Sequence, residues 1–264
     1  MKKLETNSEY HANEAVGSTL LKAIVKKSVV HALTEKIEKS DSMLMGSALH
    51  TLILDPERFS QEFLVAPKVD KRTKAGKEEW AKFLEKAEGK EVINEEQLET
   101  VNGMSRSVLS HKESKKWLSG GEAEFSYYAQ CPETGIQLKC KPDFVNQGSL
   151  IDLKSTRDAS IQGFSKACAN LMYHVQAAFY FDVYQLATGI QPDDFRFIAV
   201  ESAAPFGVAT YVLDSRDLDF GRSLYKSALK QLKKYLDEKP DSIHAFVYGE
   251  ETRNLSLPTW AYGA

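Results

Sequence analysis

The sequence predicts an α/β fold in which a mixed β-sheet, including an antiparallel meander, is flanked by helices. Three features carry that prediction. Apolar residues recur at helical spacing before residue 110, period-two runs with turn formers fill residues 122–156, and the remainder alternates helix, helix, strand, strand, helix. No Pro-, Gly- or Ser-rich stretch divides the 264 residues, so one domain, 1–264, is expected.

Residues 18–30 read as the first helix. Asp41 or Ser42 caps a second, which Pro56 stops just after Leu54 because proline lacks the N–H a helix interior needs. In it Met45, Ala48, Leu49, Leu52 and Ile53 share one face, and Gly46, His50 and Leu54 a neighbouring one, so this helix should be buried. A polar, basic loop at 66–77 precedes a helix over 78–87. Asn94 caps another helix to about Leu109, with Val101, Met104, Val108 and Leu109 as its stripe. Residues 122–129 alternate as a strand, 131–135 turn the chain, and 136–145 and 150–156 form a hairpin about Gly148-Ser149, giving a three-stranded meander. Helices follow at 161–169 and at 173–187, the latter ended by Gly189. Strands at 195–201 and 208–213, an amphipathic helix at 217–238 and an irregular tail after Pro240 complete the chain.

The formal net charge of −3 gives no bulk footprint of nucleic-acid binding. It does not exclude an enzyme that holds cations between carboxylates and meets DNA in a single groove. Cys131, Cys140 and Cys168 are odd in number and form no Cys-x-x-Cys pair, which argues against a disulfide framework and a structural zinc site. Met1-Lys2-Lys3 runs into polar Glu5-Thr6-Asn7-Ser8 with no signal-peptide core, and no stretch is long enough to span a bilayer. A cytoplasmic protein with no membrane partner is expected.

The chemistry concentrates in the hairpin. Asp152 and Lys154 alternate with Ile151 and Leu153, so period two sets both charges on one face and both aliphatics on the other. Asp143, near the end of the partner strand, adds a second carboxylate. Burying these charges together is costly unless something pairs with them, and a divalent cation would relieve the cost. Mg²⁺ takes hard oxygen ligands, usually one or two carboxylates, and keeps waters for chemistry. Other acid-x-Lys patterns, Glu88-Gly89-Lys90, Glu113-Ser114-Lys115 and Asp237-Glu238-Lys239, lie in charged, helix-like surroundings where both side chains can be solvated.

Pro142-Asp143 followed by Asp152-x-Lys154 resembles the PD-(D/E)xK nuclease signature, which implies a restriction-endonuclease-like core. Gly46-x-x-x-His50 and Gln176-x-x-x-Tyr180 extend the resemblance to the RecB-like branch. Within that branch the runs 46–50, 71–76, 132–135 and 173–180 are similar to the nuclease domain of the RecE exonucleases (exonuclease VIII), over most of the chain.

That resemblance implies hydrolysis of DNA phosphodiesters with one or two Mg²⁺, or Mn²⁺ in its place, held by Asp143, Asp152, the Leu153 carbonyl and His50. Lys154 orients or deprotonates the attacking water and offsets phosphate charge. Gln176 and Tyr180, four apart on one helix face, hold a phosphate or orient Lys154. Glu124, on the strand before the hairpin, approaches the metals. Lys71, Arg72, Thr73 and Lys74 contact DNA phosphates or a 5′ end. No segment looks like a major-groove recognition helix, which favours digestion without sequence preference. Beyond the residues, the resemblance implies a 5′ to 3′ exonuclease on linear double-stranded DNA with a free end. It also implies 3′ single strands left for a RecT-type annealing protein, and a ring-shaped homotetramer. A structure- or sequence-specific endonuclease on the same core, or a non-catalytic DNA-end-binding protein, are the alternatives.

Overall fold

The computed structural model describes residues 1–36, 38–238 and 243–262. Pro240, where the irregular tail is expected to begin, and Lys239 of the Asp237-Glu238-Lys239 pattern lie outside these residues.

The chain opens with β1 (Lys2–Leu4) and α1 (Asn7–Ala12), and the single helix expected at 18–30 is two, α2 (Ser18–Lys26) and α3 (Val29–Thr34). Lys27 leaves helical geometry, and Ser28 restarts the helix because its Oγ accepts the His31 N–H at 3.3 Å. Next, α4 (Asp41–Leu54) is capped by Ser40, one residue before the expected cap. Pro56 opens α5 (Pro56–Glu62) at a position where its missing N–H costs nothing. After β2 (Phe63–Val65), Thr73 caps α6 (Lys74–Lys86), so the helix takes up the end of the expected basic loop. Then come β3 (Glu91–Ile93), α7 (Glu95–Ser110) and α8 (Lys112–Trp117). Asn94 caps α7 as expected, in a capping box with Gln97.

The meander is divided between two sheets. The expected strand at 122–129 breaks at Glu124 into β4 (Glu122–Ala123) and β5 (Phe125–Gln130); the next breaks at 141–143 into β6 (Gln137–Cys140) and β7 (Phe144–Asn146). Glu124 has φ +60°, a left-handed conformation that interrupts a strand, and Pro142 has no N–H for a ladder. The two breaks lie side by side, since the Glu124 N–H donates to the Asp143 carbonyl at 3.1 Å. Consequently β5 and β6 join β1 in one sheet, while β4 and β7 enter the other. The turn from β7 to β8 (Ser149–Thr156) centres on Gln147 and Gly148, both at positive φ, one residue earlier than expected.

There follow α9 (Ile161–Asn170), α10 (Tyr173–Thr188), β9 (Asp194–Glu201), β10 (Val208–Val212) and α11 (Ser215–Glu238). Gly189, left-handed at φ 75°, ends α10. The tail carries 3₁₀ turns at His244–Phe246 and Thr259–Tyr262.

The five-stranded sheet has the order β10-β9-β8-β7-β4; β8 and β9 are parallel and the other neighbours antiparallel. It is therefore a mixed sheet with helices on both faces, as the sequence predicts. Leu150, Phe195 and Phe197 pack into one core with residues of α2, α10 and α11. Ile151, Leu153, Ile198 and Val200 pack into another with residues of α4 and α7. No described helix is long and apolar enough to cross a membrane.

Candidate active site

Because the ribbon bends at 141–143, β7 pairs with β8 only as far as Phe144 opposite Ile151. Farther along β8, side chains take the positions that a neighbouring strand would fill. Asp143 Oδ2 accepts the Leu153 N–H at 2.6 Å, and His50 Nε2 on α4 lies 2.8 Å from the Leu153 carbonyl oxygen. A carbonyl only accepts, so this partner assigns a proton to Nε2. The other ring nitrogen, Nδ1, lies 3.2 Å from Asp143 Oδ1.

Glu124 turns its carboxylate toward the same point. His50, Glu124 and Asp143 each offer one ligand atom, and these atoms all lie within 4.8 Å of one another. One imidazole nitrogen and two carboxylate oxygens are a donor set suited to a divalent cation. The left-handed backbone at Glu124 is sterically disfavoured for a residue with a side chain, and such outliers gather at functional sites.

A family model described as a PDDEXK-like domain of unknown function (DUF3799) matches residues 18–245. The chain belongs to that family. Among solved structures, a candidate exonuclease from Eubacterium rectale has 13% sequence identity to this PDDEXK-like domain over 99% of both chains, with a TM-score of 0.64, and shows the same fold. A phage-related exonuclease from Haemophilus somnus 129PT aligns at 12% identity over 89% of this chain and 100% of its own, with a TM-score of 0.38. No curated protein matches the sequence.

In the PDDEXK-like domain, Asp152 and Lys154 lie on the face of β8 that carries Leu150, with Ile151 and Leu153 opposite, as period two predicts. Asp152 Oδ1 accepts from Gln176 Nε2 at 3.0 Å. Its Oδ2 pairs with the Lys154 ammonium and makes no further bond. Lys154 Nζ stands 4.8 Å from the centroid of the Tyr173 ring, a cation–π contact that backs the ammonium. Of the other expected metal ligands, Asp152 is not among the three clustered side chains and accepts from Gln176, while the Leu153 carbonyl oxygen adjoins the cluster through His50 Nε2.

These contacts push the titratable groups apart. Burial, reinforced by the Asp143 charge, raises the Asp152 carboxyl above the usual range although Lys154 opposes it. Asp143 is also buried, but the His50 charge and hydrogen bond hold it below that range. Burial would lower His50, yet Asp143 outweighs it and lifts the imidazole to about 9. Lys154 is likewise raised, because Asp152 and Asp143 outweigh its burial.

A cleft of about 380 Å³ opens over this cluster, and Tyr173 and Tyr180 line it with His50, Glu124, Asp143 and Lys154. Gln176 is not on its wall and reaches the site through Asp152. The basic loop also lies off this wall. Lys71 Nζ sits 3.1 Å from the centroid of the Trp80 ring, and Arg72 grips Asp70 at 3.0 and 3.1 Å. Thr73 caps α6 and Lys74 begins it.

Sequence reasoning missed Lys141, whose ammonium lies 2.6 Å from Glu124 Oε2. The signal was present: Lys139 and Lys141 alternate with Leu138 and Cys140, the period-two pattern that singles out Asp152 and Lys154. Asn7, Tyr10 and His11 also line the cleft, and no motif marks them.

Proposed function

We propose that this PDDEXK-like domain is a Mg²⁺-dependent exodeoxyribonuclease, with Mn²⁺ able to substitute, that degrades linear double-stranded DNA from a free end. The observation that carries this reading is the convergence of His50, Glu124 and Asp143 on one point beside the Asp152–Lys154 pair. Those three side chains would hold the ion. When bound, it supplies a water of lowered pKa and stabilises charge on the phosphate being cleaved.

The chain's own groups do the rest. The Asp152 and Asp143 charges favour the protonated ammonium of Lys154, which is placed to stabilise developing negative charge on the phosphate. Gln176 fixes Asp152, and Asp152 in turn fixes Lys154, which makes the glutamine a positioning residue. Tyr180, one helical turn beyond Gln176, faces the cleft where a phosphate would lie. DNA contact at Lys71, Arg72, Thr73 and Lys74 requires the ion pair with Asp70 and the stacking on Trp80 to give way. A 5′ to 3′ polarity, a ring-shaped homotetramer and transfer of 3′ strands to a RecT-type annealing protein rest on the RecE resemblance alone, and a cytoplasmic location on the cysteine usage and the polar N-terminal segment.

Digestion of end-labelled linear duplex beside closed circular duplex, with Mg²⁺ and with a chelator, tests the reading. Mg²⁺-dependent nucleotide release from the linear DNA alone is expected. Cutting of the circle would make the domain an endonuclease, and Mg²⁺-independent binding without release would make it a DNA-end binder.

A further inference from the structure

The family match begins at residue 18, yet the preceding segment reaches the cleft. β1 pairs with β5, and the arm continues into α1 with Asn7 at its first position. The Lys141 ammonium donates to Asn7 Oδ1 at 2.8 Å, and the Glu5 carbonyl oxygen lies 3.5 Å away. Its remaining partner is Glu124, one of the three donors described above. The Lys141 side chain is 6% exposed, so water hardly competes for the charge.

We propose that Lys141 is a positioning residue acting as the resident counter-cation of the metal site: it holds the Glu124 carboxylate while no ion is bound, and Asn7 restrains it so that an incoming ion can share that carboxylate. This rests on the metal reading above. Without Lys141, the Glu124 carboxylate would lose its paired cation and face Asp143, whose own charge His50 and Lys154 offset. An ammonium so near a divalent ion also repels it, and in a buried setting that repulsion exceeds the gain from a carboxylate held ready. Removing the ammonium therefore tightens metal binding. Removing Asn7 acts in the opposite sense, because the ammonium loses its neutral acceptor and closes on Glu124.

Calorimetric titration of Mn²⁺ alone into the full chain without DNA tests this. Lys141→Met keeps the aliphatic stem, and it is expected to bind about fivefold more tightly or better, the low end of ordinary coupling between sites. Asn7→Ala is expected to lose affinity. General damage to the site would weaken both, so opposite signs identify the counter-cation. Equal or weaker binding by Lys141→Met, or tighter binding by Asn7→Ala, overturns the inference and leaves the nuclease reading standing. If metal-free melting shows that Lys141→Met does not fold, Lys141→Gln, which keeps a polar head for Asn7 and removes the charge, takes its place with the same expected sign. A wild-type chain that binds no divalent ion overturns both.

Discussion

Asp143 Oδ2 lies 2.6 Å from the Leu153 amide nitrogen, so a cleft carboxylate closes the ladder that β7 leaves open. Two roles thus fall on one side chain. Asp143→Ala should abolish metal binding and also leave a buried N–H unpaired, at a cost of about 1–3 kcal/mol. Glu124→Gln, whose amide oxygen can still accept from Lys141 and whose side chain satisfies no backbone group, should lose metal affinity with a smaller stability loss. Urea unfolding beside Mn²⁺ titration separates the pair; equal destabilisation by both would contradict the backbone role of Asp143.

Asp152 carries the Lys154 ammonium and is 1% exposed. Asp152→Ala should end Mg²⁺-dependent nucleotide release while far-UV circular dichroism keeps its native form. Unfolding should occur at lower denaturant, because a buried ammonium has lost its partner, a change that typically costs several kcal/mol. Retained turnover would remove Asp152 from the chemistry.

Among the described residues, Gln176 bonds to the site through Asp152, donating to Oδ1 at 3.0 Å. Residues that orient a site from behind typically change activity 10–100-fold, so Gln176→Ala should lower turnover about tenfold or more. Its stability cost should stay near that of one buried hydrogen bond, about 1–2 kcal/mol. Proportionate losses of both would instead mark a packing residue.

Much of this was legible in the sequence, and the failures have local causes. Period two placed Asp152 and Lys154 on one face because the alternation of a regular strand needs no tertiary information. Asn94 and Gly189 marked helix ends for a similarly local reason, a side-chain cap and a left-handed stop. The division of the meander was not legible. Alternation continues through Glu124 and Lys141, and only the pairing of two bent ribbons shows that the chain changes sheets there. The short strands β1, β2 and β3 hold three residues each and owe their form to distant partners, a context that overrides weak propensity. Lys71 and Arg72 illustrate a further limit: a basic run says nothing about whether Asp70 and Trp80 already occupy its charges.

Metal binding should release a proton. His50 is held near 9 by Asp143, whereas a metal ligand must be the neutral imidazole. Losing the Nδ1 proton leaves Nε2–H on the Leu153 carbonyl, so the ring keeps its orientation as it becomes a donor. Apparent Mn²⁺ affinity should therefore climb about tenfold per pH unit from neutrality toward 9 and then level off. The sign for stability is opposite in the metal-free chain. A histidine raised above its unfolded value contributes fully below about 6.5, and that contribution disappears as pH rises through about 9. Titrations at pH 7, 8 and 9.5, in buffers of different ionisation enthalpy, read both the climb and the proton. Affinity that stays flat from pH 7 to 9 would mean that His50 does not give up its proton to the metal.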